Sequence, residues 1–313
     1  MSTTVFPQQP VWDQIKAQQP DHLVLTGDSI YIDTPPYAQH PKLMSDNDFS
    51  QHVFARWNAL LQQAQFRALV AQPSITTHAI WDDHDFLWNE AYGEHAILSP
   101  VYQGAVRTTR ALFNAFSRAL ELRLAPGSFP ATYNAAALLP PSPSAPGYRY
   151  RDLGQQVALH LTDGRSYRQG SILLGEAQRR EIEEKIKLLP VETVHLIASG
   201  SVVEAHKGDA WSNFDSDYAW LIGLAKTYKI LVLSGDIHKN RFDTVDAGTG
   251  RFLFDATASG AAIRRLVNLL SPCQNYGLLD ISKTEIRISF YAFGVLDKSA
   301  PQIRIRRDTW QLL

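Results

Sequence analysis

The chain contains a single cysteine, Cys273, so it can form neither an intrachain disulfide nor a cysteine-based zinc site. No apolar run approaches the roughly 20 residues that a membrane-spanning helix requires. The first residues, MSTTVFPQQPVWDQIK, lack a basic segment followed by an apolar one, so we expect no signal peptide. These absences predict a cytoplasmic protein that makes no membrane contact.

Several common catalytic motifs are also missing. The sequence has no GxxxxGK(S/T) phosphate loop, no GxGxxG after a strand, no HExxH and no GxSxG. Their absence disfavours P-loop nucleotide hydrolysis, Rossmann cofactor chemistry, zincin proteolysis and the usual serine hydrolases.

The charge is balanced overall but uneven along the chain. Hydrophobic residues make up 45% of the 313 residues, enough for a sizeable core, and the net charge of −1 argues against a dedicated nucleic-acid or membrane-surface binder. The first 100 residues carry 4 Lys/Arg and 11 Asp/Glu, whereas the remainder has a net charge of +6. This asymmetry would suit a cation site with an anionic substrate, although ordinary surface variation explains it more simply.

The order of predicted elements is typical of a single α/β domain covering residues 1–313. Strand–helix units come first and a run of strands follows. The segment 126–147 is rich in Pro, Ser and Ala, and we interpret it as a long loop, either a lid or a mobile connector. It does not divide the chain, because the strands after it continue the same pattern.

Polar clusters follow four of the predicted strands, at the ends where ligands bind in open α/β sheets. The clusters are Gly27-Asp28 after HLVLT, Asp82-Asp83-His84-Asp85 after THAIW, Asp163-Gly164-Arg165 after residues 156–162, and Gly235-Asp236-Ile237-His238 after ILVLS.

Two of the clusters indicate metal binding. Three carboxylates and a histidine at 82–85 repel one another unless cations or hydrogen bonds neutralise them, although a solvated acidic loop remains an alternative. In an extended segment Asp236 and His238 point to the same side, which suits a metal. A buried histidine bonded to its neighbouring aspartate is the alternative.

The other two clusters are less specific. Asp28 would project from the end of its strand, where a carboxylate can bridge two cations, but a lone Gly-Asp pair more often caps a helix or forms a turn. Arg165 suits a phosphate through its bidentate geometry, and a structural ion pair with Asp163 stays open.

Taken in order, these segments resemble the PhoD-like (alkaline phosphatase D-like) branch of the calcineurin-type metallophosphatases. The likeness covers roughly residues 10–262. It rests on PVWDQIKAQQPDHLVLTGDSIYID, WDDHDFLWN, LTDGRSYR, LGEAQRREIEEKI, IASGSVV, ILVLSGDIH and ATASGAA.

The resemblance implies a four-layer α/β/β/α sandwich with two central mixed sheets, and a site that holds Fe³⁺ and Ca²⁺. It implies Asp28 as the bridging ligand, Tyr31 as a phenolate ligand of iron and Asn89 as a ligand in the calcium part. Asp236 and His238 match the last two ligands. Hard oxygen donors with an imidazole agree with these metals, and other divalent metals stay open.

One feature of the family is absent. The family begins with a strand that ends in Ser-Cys, and that cysteine is an iron ligand. Only Met1–Phe6 precedes PVWD here, and Cys273 is far from that position, so we expect the first strand to be missing. Either the chain starts late, or this branch manages without the cysteine.

The resulting hypothesis is a metal-dependent phosphoesterase in which a metal-bound hydroxide attacks phosphorus. Arg165 would hold a non-bridging oxygen, and His84 or His206 would protonate the leaving group, unless His84 only orients a ligand. Asp82 and Asp83 would bind substrate or support the ligands.

Two alternatives stay open. One is a catalytically impaired relative that keeps the phosphatase fold, and the other is a metal-dependent hydrolase of a non-phosphate ester. We expect a small phosphate ester as partner and no stable nucleic-acid complex, and the sequence predicts no particular oligomeric state.

Overall fold

A computed structural model provides the structure and describes residues 1, 3–37, 39–205, 208–248, 250–263 and 273–313. The helices are α1 (Val11–Ala17), α2 (Asp46–Gln62), α3 (Ala64–Val70), α4 (Asp83–Phe86), α5 (Gly93–Leu98), α6 (Gln103–Glu121), α7 (Ala135–Leu138), α8 (Glu176–Lys187) and α9 (Asp215–Ala225).

The strands are β1 (His22–Thr26), β2 (Thr76–Ile80), β3 (Arg149–Asp152), β4 (Val157–Leu161), β5 (Val194–Ser199), β6 (Lys229–Ser234), β7 (Asn240–Gly248), β8 (Arg251–Ala258), β9 (Asn275–Ile281), β10 (Glu285–Ala292), β11 (Val295–Leu296), β12 (Ile303–Arg306) and β13 (Gln311–Leu312). The described residues that precede α1 contain no strand.

The described strands form three sheets. β1 and β2 pair in parallel, and a mixed sheet has the order β3-β4-β5-β6-β8-β7, in which the central strands are parallel and both edge pairs are antiparallel. β9 to β13 form an antiparallel sheet built around β10. The predicted α/β class with a mixed sheet is therefore confirmed.

Both faces of the six-stranded sheet are covered, which explains why β5 is buried at all six positions. On one face Ile197 and Ile230 pack in a cluster with Ile182 of α8. On the other face, Leu196 belongs to a cluster that includes Ile288 of β10 and residues of β4, β6 and β8.

A further core cluster packs the β1–β2 pair against α1, α2, α3 and α6. Phe49, Val53, Trp57 and Leu60, spaced three and four residues apart along α2, are buried there, and the Trp57 ring stacks on Phe116 with a centroid distance of 4.2 Å. The Pro-rich segment 126–147 is irregular apart from the single turn of α7. Within the described residues, no helix combines the length and the apolar character needed to cross a bilayer.

Candidate metal centre

The ends of four parallel strands meet at one edge of the molecule. Thr26 lies opposite Ile80 in the β1–β2 pair, so the segments that carry Asp28 and Asp82 leave that sheet at the same level. Ser199 lies opposite Ser234, so β5 and β6 also end together. A Cβ atom at Gly235, just after β6, would lie 2.6 Å from the carbonyl oxygen of Thr26, which brings the two sheets into contact at these ends.

Two glycines allow this close approach around Asp82. A Cβ at Gly27 would lie 2.5 Å from Cβ of Asp82, and Gly27 has a φ of +97° that favours glycine in any case. A Cβ at Gly200 would lie 2.3 Å from Oδ1 of Asp82. The polar residues that follow β1 and β2 therefore pack directly on the end of β5.

Asp28, Asp83 and His84 form the tightest group of potential ligands. Each offers one atom, and these atoms lie within 4.8 Å of one another. Asp83 is held in place because its Oδ1 accepts from the His84 backbone N–H at 2.9 Å and its Oδ2 from that of Glu90 at 2.6 Å. Oδ1 of Asp28 is buried and has no hydrogen-bond partner among the described residues, so it is free to bind a cation.

Tyr31 and His238 extend this group. The Tyr31 hydroxyl donates to Oδ2 of Asp28 at 2.9 Å and lies 2.9 Å from Nε2 of His238. The backbone N–H of His238 donates to Oγ of Ser259 at 2.8 Å, which fixes the turn after β6. Tyr31 therefore contacts two of the other ligands that the resemblance implies, Asp28 and His238.

His84 lies beside Tyr31, with ring centroids 4.3 Å apart, and its Nδ1 is 2.5 Å from Oδ1 of Asp33. Oδ2 of Asp33 accepts from the Asn89 backbone N–H at 2.9 Å. Asn89 itself is exposed, so the structure places it at the rim of the site, tied to it through Asp33. Because Nδ1 of His84 already contacts Asp33, its Nε2 is the nitrogen that can bind a ligand or carry a transferable proton.

Asp85 positions the segment that carries the first ligands. Its carboxylate accepts from the backbone N–H groups of Ser29 at 3.1 Å and Ile30 at 2.8 Å. This fixes the turn between Asp28 and Tyr31 from the side of the neighbouring strand.

Backbone strain is concentrated at the ligands. Asp28, Asp236 and His238 have φ values of +50°, +69° and +55°. This region costs a non-glycine residue about 1–2 kcal/mol, and such strain clusters at functional sites. The strand ends therefore adopt unfavourable geometry at the positions where ligands are expected.

Burial, with mutual repulsion adding to it, raises the pKa values of the acids in this group. Burial raises the pKa of Asp28 to about 7, with Asp83 and Asp85 adding to the effect and His84 opposing it. Burial, together with the charges of Asp28 and Asp83, raises the pKa of Asp236 to about 6. A bound cation would relieve this repulsion.

The two histidines respond in opposite directions. Burial lowers the pKa of His238 to about 4. Burial also acts to lower that of His84, but the hydrogen bond with Asp33 and the charges of Asp28 and Asp83 outweigh it and raise the pKa to about 9. A neutral His238 has the form that a metal ligand requires.

Arg165 is buried under the acidic cluster with 1% of its surface exposed. Its Nε donates to Oδ1 of Asp82 at 2.5 Å, and its Nη1 donates to Oδ2 of Asp209 at 2.6 Å. Its Nη2 has no hydrogen-bond partner in the described part of the chain and lies 3.9 Å from Oδ1 of Asp83.

The ion pair between Arg165 and Asp163 does not form. Oδ1 of Asp163 instead accepts from the indole N–H of Trp81 at 2.7 Å and from the backbone N–H of Ser166 at 2.9 Å. Because these hydrogen bonds already occupy the Asp163 carboxylate, the guanidinium of Arg165 pairs with Asp82 and Asp209 instead.

The sequence assigns no individual role to three residues of this network, Asp33, Asp85 and Asp209. Asp33 and Asp85 lie inside the motifs that carry the resemblance, so their positions were signalled although their roles were not. Asp209 bridges Arg165 and Arg168 through both of its oxygens, and nothing in its local sequence marks it. The predicted His206 lies outside the described residues.

The donor set fits the metals that the resemblance implies. Buried carboxylate oxygens, a phenol and an imidazole suit a trivalent ion such as Fe³⁺, and carboxylates with an amide suit Ca²⁺. Oδ1 of Asp28 and Oδ2 of Asp82 are buried and have no hydrogen-bond partner among the described residues, so a bound cation would satisfy them.

No protein-family model matches the chain, and no curated protein matches it either. A solved structure described as "Structure of PhoD" is similar, with a TM-score of 0.67 and 15% sequence identity. The match covers 97% of this chain and 68% of that one. The chain therefore has a PhoD-like fold.

Proposed function

We propose that this protein is a metal-dependent phosphoesterase that hydrolyses phosphomonoesters or phosphodiesters. The observation that supports this best is the convergence of Asp28, Asp83 and His84 at the strand ends of a PhoD-like fold. We propose further that the sheets and helices form the four layers implied by the sequence resemblance, with Fe³⁺ and Ca²⁺ as the metals.

The proposed ligands are Asp28, Tyr31, Asn89, Asp236 and His238, and Asp83 joins them because of its place in the tight group. Bound cations would supply a water of lowered pKa as the nucleophile and positive charge for the phosphate oxygens. Burial and the charge of Asp28 raise the pKa of the Tyr31 phenol, so that residue is protonated unless a strongly Lewis-acidic cation is present.

The protein's own groups have distinct roles in this proposal. Arg165 holds Asp82 in position through Nε, and because its Nη2 is buried, we propose this positioning role for it instead of the predicted contact with a non-bridging phosphate oxygen. Asp33 fixes the ring of His84 through Nδ1, which leaves Nε2 to protonate the leaving group. In this proposal the natural substrate is a small phosphate ester and the protein acts in the cytoplasm. It forms no stable complex with nucleic acid and does not bind a membrane.

The test combines elemental analysis of the purified protein with hydrolysis of p-nitrophenyl phosphate, bis(p-nitrophenyl) phosphate and p-nitrophenyl acetate. We expect bound metal and turnover of at least one phosphate ester. Asp236→Ala should abolish both, whereas Asp280→Ala, an exposed aspartate on β9, should change neither.

Each other result would overturn the proposal in a specific way. If Asp236→Ala protein hydrolyses the phosphate esters at an undiminished rate, the proposed ligand set is wrong. Hydrolysis of the acetate alone would favour a non-phosphate ester hydrolase. Absence of both metal and turnover would favour the catalytically impaired relative.

A further inference from the structure

A cavity of about 680 Å³ is lined in part by Ser166, Tyr167 and Arg168, the residues that directly follow Arg165. Its walls come from α5, the residues between β4 and α8, the first turns of α8 and the end of the Pro-rich segment. The volume falls within the range of small-molecule sites in proteins. Leu98 and Tyr167 lie at its rim, with 73% and 47% of their surfaces exposed, so the cavity is open to solvent.

The lining combines apolar and aromatic surface with carboxylates. Ile97, Leu98, Ile172 and Leu174 supply the apolar part, and Tyr148 and Tyr167 supply two aromatic rings. Such a lining suits a ligand with an organic body rather than a simple ion.

Three glutamates, Glu94, Glu176 and Glu181, share the walls with one basic residue. An oxygen of Glu94 accepts from the Gly170 backbone N–H at 3.1 Å. Neither Glu176 nor Glu181 has a hydrogen bond or an ion pair to any of the described residues. Two of the three carboxylates therefore remain available to a ligand.

The basic residue, Arg168, does not offset these carboxylates. Its Nη2 donates to Oδ1 of Asp209 at 2.6 Å, and its guanidinium lies over the rings of Tyr92 and Phe214, 4.9 and 4.7 Å from their centroids. Asp209 also pairs with Arg165, which is compensated by Asp82. The residues that line the cavity therefore include three carboxylates and one compensated guanidinium, and the charge of Arg110 also acts on the lining residue Tyr167.

Glu181 lines the cavity together with both tyrosine rings. Burial raises the pKa of Tyr148 and of Tyr167, and the charge of Glu181 adds to the rise in each, after Tyr150 for Tyr148 and after Asp163 for Tyr167, where the charge of Arg110 opposes the rise. A carboxylate next to two aromatic rings combines the two kinds of partner that attract an organic ammonium group.

We propose that this cavity binds an organic cation, a protonated or quaternary amine carried on an apolar or aromatic body. The ammonium group lies between Glu181 and the tyrosine rings, and the body packs on the apolar wall. The site is separate from the metal centre and does not depend on its proposed chemistry.

The test is calorimetric titration of the purified full-length protein with 3-phenylpropylammonium and with 3-phenylpropan-1-ol at pH 7.5 and low salt. The two probes share one skeleton and differ in the charged group. We expect the amine to bind about tenfold more tightly than the alcohol, since a cation–π contact with a nearby carboxylate is worth about one factor of ten.

Three variants locate the site. Glu181→Gln should weaken amine binding about fivefold and leave alcohol binding unchanged. Glu184→Gln, the same change at an exposed position of α8 that does not line the cavity, should leave amine binding unchanged. Ala177→Trp, which fills the cavity from α8, should remove binding of both probes while the circular dichroism spectrum is kept.

The proposal would be overturned if amine and alcohol bind with equal affinity, or if amine binding does not saturate. It would also be overturned if Glu181→Gln and Glu184→Gln weaken amine binding equally. Unchanged binding in Ala177→Trp would overturn it as well, because the ligand would then lie elsewhere. The amine should also bind Asp236→Ala protein with unchanged affinity, so failure of the phosphoesterase proposal and failure of this one are distinguishable.

Discussion

Replacing Arg165 with methionine should strongly destabilise the fold, because it leaves a buried carboxylate without its counter-charge. Asp82 is 2% exposed, its Oδ1 accepts from Nε of Arg165 at 2.5 Å, and its Oδ2 has no partner among the described residues. Breaking a buried ion pair by removing one partner costs about 3–5 kcal/mol. Methionine fills much of the same volume, so the loss is mainly electrostatic.

Arg168→Met provides a matched control for this prediction. It also removes a guanidinium from the same network, but Asp209 keeps its contact with Nη1 of Arg165 at 2.6 Å. The expected loss is about 1.5–3 kcal/mol for one charged hydrogen bond, because methionine sulfur replaces the guanidinium as a contact of the Tyr92 and Phe214 rings. The two variants should differ in their free energy of unfolding by about 2 kcal/mol.

Urea unfolding of the metal-free protein, followed by circular dichroism, measures both losses. The double variant Arg165→Met with Asp82→Asn should recover more than half of the loss caused by Arg165→Met, because the amide carries no charge to compensate. If Arg165→Met costs less than about 1 kcal/mol, or if Asp82→Asn gives no recovery, the guanidinium does not compensate Asp82 and the argument is refuted.

Three further predictions test other parts of the structure. Gly200→Ala should cost about 1–3 kcal/mol in unfolding experiments because its Cβ would lie 2.3 Å from Oδ1 of Asp82, whereas Gly170→Ala, with no atom within 4 Å, should be nearly neutral. Burial lowers the pKa of His195 to about 4 from 6.5, so the folded state resists a proton that the unfolded chain binds, and stability is lost as the pH falls from 6.5 towards 4. Between pH 7.5 and pH 5 the free energy of unfolding should therefore fall by about 2 kcal/mol less in His195→Gln than in the wild type. Equal decreases in the two proteins, measured by urea unfolding at both pH values, would contradict this. Tyr31→Phe removes a hydroxyl that contacts Asp28 and His238, so it should lower iron retention in elemental analysis and abolish any phenolate-to-iron absorption band, and a band that persists would contradict the assignment.

Much of the site was predictable from the sequence because it is built from short motifs at the ends of apolar strands. Each of β1, β2 and β6 is a short apolar run, and each is followed within a few residues by acids or a histidine. Parallel strands in register bring such ends to one edge, so Asp28 and His84, which follow the paired strands β1 and β2, could be expected together from the sequence, whereas His238 follows a strand of another sheet.

The remaining contacts could not be predicted, because they join residues that are distant in sequence and have no local signature. Asp209 lies 44 residues from Arg165 and in no strand or helix, yet it bridges two arginines. The contact of Gly200 with Asp82 depends on how closely two separate sheets approach. That approach is a property of packing, which periodicity and spacing do not determine.

The pairing of Arg165 shows why nearness in sequence misleads inside a core. Asp163 is two residues away and was an open partner on spacing alone, but backbone and indole N–H groups already occupy its Oδ1. A guanidinium that is 1% exposed must be compensated within the core, so it pairs with Asp82 and Asp209, which come from distant segments. Because Asp82 follows the same strand that leads to Asp83 and His84, the ion pair also fixes the position of the proposed ligands. Local hydrogen bonding at Asp163 therefore directs Arg165 towards the metal centre.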